Sequence, residues 1–70
     1  MEAGVRNNIS GKIEDIKTDN IMAQVTILVE GDQFRLTSVM TRDSLEEAGF
    51  KKGDLVNALV KAVNVVFVKP

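Results

Sequence analysis

The sequence predicts an all-β fold: a small five-stranded barrel with one short helix between strands 3 and 4. Two stretches, Ile9–Glu14 and Ile21–Val29, alternate apolar and polar residues with the period of two that marks half-buried strands. One stretch, Thr41–Ala48, abandons that alternation for helix-forming residues. No linker, low-complexity tract or internal repeat interrupts the 70 residues, so 1–70 is expected to be one domain.

Strand 1 places Ile9, Gly11 and Ile13 on one face and Ser10, Lys12 and Glu14 on the other. Ile16 breaks that parity, which predicts a bulge at Glu14–Asp15 of the kind small barrels use to turn corners. Lys17–Asn20 reads as a turn. Strand 2 follows, with Ile21, Ala23, Val25, Ile27 and Val29 on its inner face and Met22 and Leu28 on a partly covered outer one. Glu30–Gln33 closes a hairpin around Gly31, and Phe34–Met40 is strand 3. In the helix, Thr41 is the expected N-cap, Ser44 with Glu47 fits a capping box shifted along the chain, Leu45 and Ala48 face the sheet, and Gly49 stops it. After the Lys51–Asp54 turn, Leu55–Val68 is long enough for two short strands or one bent one, breaking near Ala62 or Asn64. This element order is that of an OB-like barrel, with an SH3-like barrel as the alternative.

A chain of this size buries only about 60% of its unfolded surface and needs a staple. It has no Cys and no His, which removes disulfides, thiolate ligands and imidazole chemistry. Hydrophobic content is nevertheless 44%, so the staple that remains is self-association, and a homo-oligomer is expected. Formal net charge is -1, with three Phe and no Trp or Tyr. Neither fact suits a nucleic-acid surface, which is basic and supplied with stacking rings. No apolar run approaches the ~20 residues of a membrane span, and the N-terminus lacks the pattern of a secretory signal. The expectation is a cytoplasmic protein with neither nucleic-acid nor membrane partners. The usual nucleophile–base arrangements have no His or Cys members here, so an enzyme is not expected.

Three features carry candidate chemistry. Lys61 is the only charged residue in Leu55–Val68. An ammonium in such a run is costly unless paired or hydrated, and no acid follows Asp54. A bound anion would satisfy it; the plainer account is an edge-strand Lys that blocks unwanted pairing. Thr41 and Ser44 put two hydroxyls beside the free N–H groups of a helix start, an arrangement that suits an anion and that ordinary capping also explains. Arg6, followed by Asn7 and Asn8, is either a third donor group or a solvated residue near a chain end. Together they supply two positive charges and two hydroxyls, the inventory for a small tetrahedral dianion.

Four segments in order resemble the molbindin (Mop) family of small molybdate-binding proteins, from Gly4 to Val68. They are Gly4-Val5-Arg6-Asn7-Asn8-Ile9-Ser10-Gly11, Met40-Thr41-Arg42-Asp43-Ser44-Leu45-Glu46-Glu47-Ala48-Gly49, Lys51-Lys52-Gly53-Asp54 and Leu59-Val60-Lys61-Ala62-Val63-Asn64-Val65. The resemblance implies an OB-like hexamer holding oxyanions between subunits. Its site would take side chains from Arg6, Lys61, Thr41 and Ser44 and backbone N–H groups from Val5 and Ala62. Gly4 stands where the family has a Ser, which removes one hydroxyl, and Val5 replaces a smaller Ala. A second type of site, built largely from backbone near a threefold axis, is also implied, without assignable residues. The implied ligand is molybdate or tungstate, with no metal coordinated directly by side chains and no organic cofactor; the implied role is storage or homeostasis. The alternatives are a nucleic-acid-binding OB module and a ligand-free oligomerisation domain.

Overall fold

A computed structural model describes residues 6–31 and 34–70, with the backbone alone for Arg6. Four strands and one helix form a single antiparallel sheet, curled into a half-barrel: β1 (Arg6–Thr18), β2 (Met22–Val29), β3 (Arg35–Thr41), α1 (Arg42–Ala48) and β4 (Leu55–Lys61). The spatial order is β3-β2-β1-β4. The long β1 organises it: its first half pairs with β4, from Arg6↔Lys61 to Lys12↔Leu55. Its second half pairs with β2, from Gly11↔Val29 to Thr18↔Ala23.

The bulge lies where the parity break puts it. Ile13 opposes Ile27 but Asp15 opposes Thr26, so Glu14 is the extra residue. The slip lets Ile13 and Ile16 both point inward, and Glu14 turns out to an ion pair with Arg35. Next to it the Lys51–Asp54 turn docks: Ile13 N–H donates to the Asp54 carbonyl and Gly53 N–H to the Ile13 carbonyl, both at 2.8 Å. Ala23, Val25, Ile27 and Val29 alternate into the core with Ile13 and Leu45, and Leu36, Met40, Phe50, Val56 and Ala58 pack around them.

Gly11 is required by close approach. A Cβ there would stand 2.7 Å from the Leu28 carbonyl oxygen and 3.0 Å from the Ile27 side chain. Because the nearest atom is backbone, it cannot step aside without moving β2. Gly11→Ala is expected to cost about 1–3 kcal/mol, read as a lower urea midpoint at unchanged slope.

Several expectations are corrected. Ile21 is not in β2 and is 70% exposed, because Asp19 captures its N–H and bends the chain into a turn. β3 runs one residue later than expected, leaving Phe34 outside it. In α1 Thr41 caps as expected, with its hydroxyl accepting from Ser44 N–H, and Gly49 ends the helix at φ 70°. The shifted capping box is not formed, since Ser44 is the capped residue rather than the cap. Leu45 is buried but Ala48 is exposed, for a seven-residue helix touches the sheet through a single turn.

Where five strands are expected, the described residues form four. β4 ends at Lys61, a 3₁₀ turn over Ala62–Asn64 makes the anticipated break, and residues 65–70 follow without strand pairing. A strand exists only against a partner edge, and this tail lies along none among the described residues. Its Val66, Phe67 and Val68 are exposed, Phe67 at 93%. The edge strands β3 and β4 flank an open slot of about 420 Å³, lined by Leu36, Met40, Phe50, Val56, Ala58 and Val60 among others.

Candidate oxyanion site

The register of β1 with β4 makes Arg6 and Lys61 direct partners. Directly opposed positions in an antiparallel pair share a face, and like charges there repel. Lys61 is exposed and, among the described residues, has no ion-pair partner. Two positions that carry cationic residues thus oppose each other at the end of the sheet, and among the described residues no carboxylate pairs with Lys61. Ala62 follows as the first residue of the 3₁₀ turn, so the site's final strand position and the exit of the tail coincide. The pairing is held by the neighbouring row, where the Asn7 side-chain amide donates to the Val60 carbonyl at 3.3 Å. Further along the same ladder the Ser10 hydroxyl donates to Asn57 Oδ1 at 2.9 Å. Val5 lies outside the described residues.

Thr41 and Ser44 are elsewhere. Thr41 is the partner of Met22 on β3–β2, and Thr18 partners Ala23 on β2–β1. The helix start is therefore at the far end of β1 from Arg6. One chain brings Arg6, Lys61 and Ala62 together and Thr41 with Ser44, but does not join the two groups.

The two hydroxyls are already engaged with each other. Thr41 Oγ1 donates to Ser44 Oγ at 2.8 Å and accepts from Ser44 N–H at 3.1 Å. That consumes the Thr41 proton and leaves the Ser44 hydroxyl proton as the outward donor. With only seven residues in α1, the hydroxyl rather than the helix dipole is what this end offers an anion.

Beneath this group lies a support that the candidate residues do not include. Asp19 Oδ1 accepts from Ile21 N–H at 2.8 Å and from Met22 N–H at 2.7 Å. The Met22 N–H, then the Ile21 N–H, hold the Asp19 carboxyl below its usual range against the opposing effect of burial, with Arg42 adding the least. Arg42 in turn donates from its backbone to the Ile21 carbonyl at 2.7 Å and from Nη1 to the Asp19 carbonyl at 3.3 Å. The available signal was Asp19 two residues ahead of Ile21, the spacing of an Asx turn.

Residues 4–67 match the TOBE domain model. Molybdenum-pterin-binding protein 1 of Clostridium pasteurianum is 33% identical over 66 residues, spanning 94% of this chain and 96% of that protein. The structure of MopII from Clostridium pasteurianum superposes with a TM-score of 0.85 at 31% identity, covering 97% of this chain and all of that one. ModG, described as a cytoplasmic molybdate-binding protein and crystallised with molybdate bound, matches at a TM-score of 0.79 and 33% identity over 86% of this chain and 42% of its own. With this likeness along nearly its whole length, in sequence and in fold, the chain belongs to the TOBE domain family and is a molbindin (Mop)-type member of it.

Proposed function

We propose that this protein, as one molbindin-like domain spanning 1–70, reversibly binds molybdate or tungstate at contacts between copies of itself, as a cytoplasmic store or buffer. Binding involves no chemical step. The observation that carries the reading is the direct opposition of Arg6 and Lys61 on the β1–β4 ladder. A dianion between them turns a cross-strand repulsion into two attractions. The Ser44 and Thr41 group completes the shell, with the backbone N–H groups of Val5 and Ala62. Because that group lies at the other end of β1, a shell containing all of them needs a second copy, which is why an interface is the natural location.

Two surfaces support self-association: the exposed apolar tail after Asn64 and the slot between β3 and β4. Residues 65–70 of one copy, set as a strand against an open edge of another, would supply the fifth strand. A hexamer is the assembly the resemblance implies. Among the described residues no helix is long and apolar enough to cross a membrane.

A shell of donors alone also bears on selectivity. Phosphate near neutral pH keeps a proton that would find no acceptor here, at a cost of about 1–3 kcal/mol. Molybdate carries none and fits. Native mass spectrometry with and without molybdate tests the reading. The expected result is an oligomer that gains whole-number increments of the anion, with a melting temperature that rises with ligand concentration as mass action requires. A chain that neither gains the anion nor shifts its melting temperature is a ligand-free oligomerisation domain.

A further inference from the structure

We propose that Asp19 and Arg42 are positioning residues for the oxyanion site, holding the Ser44 hydroxyl in its donating geometry through the β1–β2 turn. This rests on Ser44 being a donor in the function proposed above.

The helix that carries Ser44 is poorly anchored by packing. It has seven residues, far short of the length that is helical unaided, and only Leu45 is buried. One buried side chain fixes a point, not an orientation. Rotation about that point is restrained by hydrogen bonds at the helix start, and these lead to the β1–β2 turn. The Asp19 carboxylate closes the turn on the N–H groups of Ile21 and Met22. Asp19 N–H returns to the Met22 carbonyl at 3.0 Å. The carbonyls so oriented, those of Asp19 and Ile21, are the two that Arg42 binds. Arg42 Nε reaches on to Glu46 at 3.1 Å, which ties the second turn of the helix to the same unit. Thr41, immediately before Arg42, is thereby placed, and Thr41 orients Ser44 through their reciprocal bonds. The chain of contacts therefore runs from Asp19 to Arg42 to Thr41 to the Ser44 hydroxyl proton.

Every member of this network is exposed, and exposed polar contacts contribute little to stability. A merely structural role thus predicts little effect on anything. A positioning role predicts a loss of affinity out of proportion to the loss of stability.

The test is isothermal calorimetry with molybdate on the assembled full chain. Asp19→Ala is expected to weaken binding about fivefold to tenfold, the worth of roughly one net hydrogen bond. Asp19→Asn, whose side-chain oxygen accepts the same two N–H groups, is expected to stay within about twofold. Arg42→Ala, which leaves the Asx turn whole, is expected to weaken binding by about threefold or more. The decisive comparison is a double-mutant cycle: in a Ser44→Ala background, Asp19→Ala should add almost nothing. Unchanged affinity in both Asp19→Ala and Arg42→Ala, or full additivity of Asp19→Ala with Ser44→Ala, overturns the proposal while leaving the binding function standing. If Ser44→Ala alone leaves affinity unchanged, Ser44 is not a donor and the positioning role falls with it. Absence of molybdate binding by the parent chain instead overturns the function itself.

Discussion

Replacing Lys61 by Ala is expected to weaken molybdate binding by about tenfold or more, and replacing Arg6 and Lys61 together to remove it at micromolar concentrations. Charge-assisted hydrogen bonds are worth about 1.5–3 kcal/mol each, and about 1.4 kcal/mol is a factor of ten in affinity. Stability of the free protein should move the other way or not at all. The two positions oppose each other on β1 and β4, so deleting one charge relieves repulsion rather than breaking a bond. The signature is therefore a lost ligand-induced rise in melting temperature on an undiminished ligand-free baseline. Lys61 is exposed, so wild-type affinity should also fall as salt screens the attraction. Calorimetry that finds the same dissociation constant in wild type, Lys61→Ala and Arg6→Ala would refute the site.

Removing residues 65–70, or changing Val66 and Phe67 together to Asp, is expected to convert the proposed oligomer to smaller species and to lower the melting temperature steeply. In the isolated chain these side chains meet solvent, Val66 at 80% and Phe67 at 93%. Full burial of each is worth about 1.5–3 kcal/mol, so docking the apolar tail contributes on the order of 5 kcal/mol per copy before ordering costs. That is comparable to the whole stability of a small domain. Molybdate affinity should fall along with assembly, because Arg6 and Lys61 of one copy then lose the Ser44 of another. Analytical ultracentrifugation of the Asp variant is the check. An intact oligomer with wild-type melting behaviour means that some other surface holds the copies together and that the tail is incidental.

Much of the architecture was legible because it is written in short-range pattern. Ile13 and Ile16 cannot both face inward without an inserted residue, and the bulge at Glu14 is that residue. Gly49 stops the helix at a left-handed angle that other residues adopt at a cost. The break after Lys61 was visible because Leu55–Val68 is too long for one flat strand. The misreadings fell where a local pattern admits a second outcome. Ile21 keeps the parity of β2, yet a carboxylate two residues earlier takes its N–H. Ala48 keeps the spacing of a buried face, yet the helix is too short to present it.

Of the proposed site, residue types alone name the candidate donors and leave their grouping open. Lys61 stands out as the one charge in its apolar run, because a buried or half-buried ammonium calls for an acceptor whatever the fold. Which of the candidate donors meet depends on register between segments from opposite ends of the chain, and residue types along one segment do not encode it. Tertiary structure alone set Arg6 against Lys61, put Thr41 and Ser44 at the other end of β1, and left the tail without an edge to pair with among the described residues. The physical reason is that composition and periodicity determine what each segment must bury or neutralise. Only the closing of hydrogen-bond ladders between distant segments decides which partners they find, and in the proposed assembly some of those partners belong to another copy of the chain.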